Sequence, residues 1–212
     1  MTYFLNILVV FGVVIISMML HELAHGFVAY KLGDGTAKSE GRLTLNPFKH
    51  LDPVLSVFLP LMLFISGGPV FGGAKPVPVD SRNLRHGVWG MALVAIAGPL
   101  TNFILAFLMF VIGHFTGWMY LSGVVGMIFM EGILVNLGFG IFNLIPIPPL
   151  DGSRVIYAIA PDQVRDVMQR MERYGLIIVL ILVVFASGLI SNIMAGAMGG
   201  VLQAFYWLVG VR

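Results

Sequence analysis

The sequence predicts an all-α polytopic membrane protein of about five transmembrane helices, with a re-entrant and short β-strand region on the cytoplasmic side. Three observations carry this. Hydrophobic residues make up 58% of the 212-residue chain and charged residues 10%, with a mean hydropathy of +0.97, more than a water-soluble core requires. Apolar runs long enough to cross about 30 Å of hydrocarbon recur along the chain. The 12 Lys and Arg residues fall between those runs or after the last of them. This length accommodates one membrane domain, 1–212, so a separate soluble peptide-binding module is not expected. With no Cys, disulfides and thiolate metal ligands are excluded.

The first run, Tyr3 to Tyr30, lacks the basic start of a signal peptide and is expected to stay as a transmembrane helix. The segment 35–79 follows. Within it Pro53 to Ile65 is apolar but only about half a span long and contains Pro60, so it reads as re-entrant. Alternating stretches at Gly41 to Leu45 and Lys75 to Val79 suit short strands, whose edge could pair with an extended chain. Spans are expected at Val88 to Gly113 and Ser122 to Leu144, the latter continuing through a proline break to about residue 160. The charged stretch Pro161 to Tyr174 reads as a short amphipathic surface helix, before C-terminal helices over about 174–211. Gly196 to Gly200 is suited to close helix packing.

Basic loops stay cytoplasmic. With the N-terminus outside, Lys31 through Arg85 and Arg154 through Arg173 all fall inside, as does Arg212. A full crossing at Pro53 to Ile65 would export Lys75, Arg82 and Arg85, so the hairpin is preferred.

His21-Glu-Leu-Ala-His25 ends the first run. On a helix, residues four apart share a face, so both imidazoles can reach one Zn²⁺. Glu22 points about a quarter-turn away, where it can take a proton from an activated water. Without a metal, these three groups in lipid carry only a desolvation cost. A third ligand is needed. Asp151 follows Asn143-Leu-Ile-Pro-Ile-Pro-Pro-Leu, where three prolines unwind the chain at the end of a span. It could equally N-cap a short helix, Gly152 to Ile159. Glu131 lies about three turns too early, and Glu40 sits among Lys38 and Arg42 in what reads as a solvated loop. His50 and Asp52 precede Pro53 in an interfacial turn, and His114 lies at the far end of the second span.

These residues resemble the compact members of the site-2 protease family, intramembrane zinc metalloproteases without an inserted PDZ-type domain. The resemblance rests on His21 to His25, Gly98-Pro-Leu-Thr-Asn102 and Asn143 through Asp151-Gly152, with Leu45 to Pro53 and Ala74 to Val79 in support. It implies a site-2 protease-like core, zinc held by His21, His25 and Asp151, Glu22 as general base and later proton donor, and transmembrane proteins as substrates. It further implies a substrate-backbone contact by Asn143, with Asn102 beside it; a helix-to-helix hydrogen bond is the other role open to Asn102. Leu144 follows Asn143 where the shorter family pattern has Pro. The competing classes are a transporter or channel and an inactive metal-binding scaffold. No internal repeat supports the former, and Glu22 serves no purpose in the latter.

Overall fold

The computed structural model describes residues 2–58, 62, 65, 72–185 and 187–210. Helix α1 runs Thr2–Lys31, 30 residues and about 45 Å, so His21 and His25 lie well inside a continuous helix. It stops at Gly33, whose φ of +110° suits glycine alone. There the Gly33 and Asp34 amides return to the carbonyls of Tyr30 and Ala29. A single turn follows, α2 (Thr36–Ser39). Short turns at Pro47–Lys49, Pro53–Phe58 and Ser81–Asn83 then lead to α3.

Helix α3 (Val88–Thr116) carries Pro99 in its interior, and α4 (Val124–Asn143) precedes the proline turn. Beyond that turn come α5 (Asp151–Ile159), α6 (Asp162–Glu172), α7 (Gly175–Phe185) and α8 (Ser187–Leu208). Among the described residues four helices are long and apolar enough to cross a membrane, Phe4–Lys31, Val88–Thr116, Val124–Asn143 and Gly188–Leu208. Helix α7 has 11 residues, about 17 Å, roughly half a crossing. Of the C-terminal helices expected over about 174–211, α8 is therefore long enough to cross and α7 is not.

Helix α3 is central, packed against α1, α4 and α5, while α1 also runs along α4 and α8 leans on α4. Phe110, Ile133 and Leu137 form an apolar layer with Phe205. Ala29, Leu84 and Val94 form a second cluster at the histidine end. Lipid-facing side chains such as Phe4, Ile7 and Phe11 on α1 are half or more exposed.

The charged stretch is helical, as α6. Side chains built at Gly196, Gly199 and Gly200 would meet nothing within 4 Å, so these glycines do not mediate packing within the described chain. The expected strands are absent among the described residues, and the reason is local. Pro76 and Pro78 have no amide proton, while the Lys75 and Val77 amides bond to the His50 carbonyl and the Glu22 carboxylate. Two of the three amide protons in Lys75 to Val79 are thus committed elsewhere. The re-entrant expectation falls largely outside the described residues. Its first part, Pro53–Phe58, is a wide helical turn capped by Asp52, whose carboxylate accepts from the Val54 and Leu55 amides at 2.8 and 2.9 Å.

Candidate metal centre

His21 and His25 face α3 one turn apart and are 7% and 9% exposed. Each ring is fixed through Nδ1. His25 Nδ1 donates to the Val94 carbonyl at 2.7 Å. His21 Nδ1 lies 2.5 Å from Asn102 Oδ1, Asn102 Nδ2 donates to Asn136 Oδ1 at 2.8 Å, and Asn136 Nδ2 reaches the Gly132 carbonyl and Ser17 Oγ at 2.8 and 2.9 Å. A carbonyl only accepts, so the chain of donors runs one way: Gly132 orients Asn136, which orients Asn102, which takes the His21 Nδ1 proton. In their neutral forms both rings then present bare Nε2 lone pairs, 3.0 Å apart.

Helix α5 delivers the third group. The residue before it, Leu150, is the N-cap, and Asp151 makes no capping bond; the capping alternative for Asp151 is not realised. A side chain at Gly152 would come within 2.2 Å of the Leu144 carbonyl oxygen, so the tight turn demands glycine there. Asp151 Oδ2 stands 3.1 Å from His21 Nε2 and 3.4 Å from His25 Nε2. Among the described residues it is buried without a hydrogen-bond donor. The possible ligand atoms of His21, His25 and Asp151 lie within 4.8 Å of one another.

With both rings neutral, three acceptors converge, and they repel unless a cation lies between them. Two imidazole nitrogens and one carboxylate oxygen are the donor set of an open catalytic zinc site. Gly98 of α3 preserves the space, since a Cβ there would sit 2.4 Å from His25 Nε2 and 2.6 Å from His21 Nε2. The residues present fit zinc.

Glu22 Oε2 accepts from the Val77 amide at 2.9 Å. Val77 belongs to an irregular strap, residues 72–80, that is tied down by buried polar side chains. Arg42, 5% exposed, donates to the Lys75 carbonyl at 2.8 Å, and Lys75 donates to the His50 carbonyl at 2.8 Å. Asp34 Oδ2 accepts from the Asp80 amide at 2.7 Å. Burial alone would raise the Asp34 carboxyl, but the Thr36 hydroxyl, the Asp80 and Thr36 amides and the Asn83 carboxamide hold it below the ordinary carboxylate value. A cavity of about 800 Å³ opens between strap and helices, reached by Glu22, both histidines, Asp151, Asn143 and Arg154.

The profile of peptidase family M50 matches residues 117–187, the stretch that contains the proline turn and Asp151. Zinc metalloprotease YwhC of Bacillus subtilis, so named provisionally, is 44% identical over 180 residues, covering 82% of this chain and 79% of that protein. The chain belongs to peptidase family M50. Rip2 of Mycolicibacterium smegmatis, also provisionally described as a zinc metalloprotease, is 31% identical over 178 residues, 80% of this chain and 64% of that protein. No solved structure matches the chain. Membership of M50 agrees with the site-2 protease resemblance read from His21 to His25 and Asn143 to Gly152.

Within this M50 chain, most of the sequence-predicted residues meet at the one cavity, and Asn102 does not. It is fully buried and bonds through both carboxamide atoms to His21 and Asn136, so the expected substrate contact by Asn102 is corrected to a support for His21. Asn143 lines the cavity and donates to the Phe139 carbonyl at 3.0 Å. Glu40 is exposed, and neither it nor Glu131 joins the cluster. His50 is buried, its Nε2 2.9 Å from the Thr44 carbonyl, and His114 pairs with Tyr120 at the far end of α3. Sequence reading missed Ser17, Asn136, Asp34, Arg42 and the Val77 amide, and singled out Gly98 without its role in keeping space for the histidines. Asn136 had a signal, a carboxamide in an apolar span; Ser17 had another, one turn before His21 on the same face.

Proposed function

We propose that this M50 protein is an intramembrane zinc metalloendopeptidase that hydrolyses peptide bonds in or near transmembrane segments of membrane proteins. The observation that carries the reading is the convergence of two histidine Nε2 atoms and Asp151 Oδ2 beside the Glu22 carboxylate, within helices apolar enough to lie in a bilayer. His21, His25 and Asp151 hold the zinc, and one metalloprotease domain occupies 1–212. Bound there, zinc supplies Lewis-acid polarisation of a carbonyl and makes water a nucleophile near neutral pH.

The remaining chemistry belongs to the chain. Glu22 takes a proton from the attacking water and returns it to the departing amide nitrogen. The Val77 amide, bonded to Glu22 Oε2, keeps the carboxylate from rotating away. Asn102 and the Val94 carbonyl hold the two rings with Nε2 directed inward. Asn143 lies on the cavity wall, suited to a backbone contact with an unwound substrate. The N-terminus lies outside and the site near the cytoplasmic face, because this orientation keeps every basic residue from Lys31 to Arg173 inside. The short α7 is then a partial crossing that returns the chain toward α8.

The test is cleavage of single-span substrates in detergent by the purified protein and its Glu22→Gln form, with zinc measured on both. Cleavage is expected to fall about 10³-fold with zinc retained. Equal cleavage by both forms would overturn the role of Glu22, and a protein that binds no zinc would overturn the site.

A further inference from the structure

Among the described residues lining the cavity, Arg154 is the one Lys or Arg. It follows Asp151 by three positions on α5, so it lies on nearly the same helix face, about 4.5 Å further along the axis. The rest of the wall is mostly apolar, and its other charged groups, Glu22 and Asp151, are acidic. No step of the proposed hydrolysis uses a guanidinium. Its partner is Glu172, near the end of α6, which Arg154 Nη2 contacts directly. The two side chains are 31% and 38% exposed. A pair so open to water contributes little, and one carboxylate can replace another on a guanidinium without loss of geometry.

Resting on the protease reading, we propose that Arg154 forms a carboxylate-binding subsite for the substrate, with Glu172 as its resident stand-in. An unwound substrate in the cavity places an acidic group on Arg154, displacing Glu172 from a fork that binds carboxylates bidentately. The carboxylate comes from an Asp or Glu side chain near the cut or from the free C-terminus of a chain already shortened. Both sources offer the same two oxygens. The subsite makes this protease select for a negative charge at a fixed distance from the scissile bond, in a region of substrate that is otherwise apolar.

The experiment uses the full chain in detergent and a neutral single-span substrate, in which each of the five residues on either side of the cut is replaced in turn by Asp or Asn. Cleavage of the neutral parent tests the protease reading alone; the Asp-to-Asn ratio of kcat/KM tests the subsite. At one position the ratio is expected to reach about tenfold. Arg154→Gln brings it to about one, and Arg154→Glu inverts it so that Lys is favoured there. Glu172→Gln, which removes the competitor, raises the ratio about threefold. Substrates ending at that position with a free or an amidated C-terminus separate the two sources. A ratio near one at every position and at the free terminus would overturn the proposal. So would a ratio that Arg154→Gln leaves unchanged, or one that Glu172→Gln lowers, which would make the pair a clamp between α5 and α6.

Discussion

His21 and Glu22 are neighbours on one helix, yet two different parts of the molecule hold them. His21 is fixed from the helical side, by a line of side chains that crosses from Asn102 on α3 to Asn136 on α4 and back to Ser17 on α1. Glu22 is fixed from the loop side, by the backbone amide of Val77 in a proline-rich strap. The helical side uses neutral carboxamides, which are satisfied pairwise and carry no net charge into an apolar layer. The loop side uses buried charge: Arg42 and Asp34 each make a hydrogen bond to strap backbone. The proposed metal ligands are thus preorganised by packing that forms with the bundle. The proposed base is preorganised by a segment whose position depends on a few polar ties, and that segment forms a wall of the cavity.

The sharpest way to break the helical side alone is to fill the space it keeps. Gly98→Val places carbon atoms where the two Nε2 atoms converge, and bound zinc is expected to drop from about one per chain to near zero, with cleavage down at least about 10³-fold. Metal analysis on the purified variant checks this. Full zinc occupancy in a folded Gly98→Val protein would mean that the ligand atoms meet elsewhere. A smaller effect on the same side comes from Asn102→Ala, which removes the acceptor for His21 Nδ1. Zinc affinity, measured by chelator competition, should weaken about 10- to 100-fold, and Asn136→Ala should follow in the same direction with a smaller loss.

The loop side should respond in the opposite pattern. Val77→Pro deletes the amide proton that Glu22 accepts, in a segment that already has proline on both sides. Zinc content should be unchanged while kcat falls about tenfold, with KM moving less, because the lost contact orients a proton-transfer group. Arg42→Gln loosens the strap one step further away and should lower kcat by about threefold. Loss of zinc in either variant would join the two sides into one unit and dissolve the distinction.

How much of this could be read beforehand follows the same division. The histidine spacing, the carboxylate between the histidines and the Asp-Gly after a proline break are side-chain patterns on predictable elements, and the ligand atoms of His21, His25 and Asp151 converge within 4.8 Å. Four of the apolar runs became long helices because length and hydropathy settle that question in a bilayer. Asn102 was visible as a polar residue in an apolar span, but its partner was not, since the sequence does not say which face of α3 meets α1. The Val77 amide was invisible altogether. Alternation in Lys75 to Val79 resembles a strand, and only the two prolines signal that its hydrogen bonds go elsewhere. Arg42 reads as part of a solvated loop and Asp34 as nothing in particular, because nothing in their neighbourhood announces burial.

Asp34 yields the smallest prediction and the one that tests the loop side without touching the chemistry. Its carboxyl is buried against α2 and the Asp80–Asn83 turn and titrates below the ordinary value near 3.9. The folded protein therefore binds fewer protons than the unfolded chain between the two values, so stability rises with pH across that window. The contribution is fully present above about pH 4 and is lost as pH falls through the folded value. Asp34→Asn keeps one acceptor oxygen but removes the charge, so it should lower the unfolding midpoint at pH 7 by about 3 °C and flatten its decline on acidification. Thermal unfolding in detergent between pH 3 and 7 provides the measurement. If the variant's midpoint falls with acid as steeply as that of the parent, the strap's anchor at Asp80 does not depend on the Asp34 charge, and Arg42 and His50 at Lys75 carry the loop side by themselves.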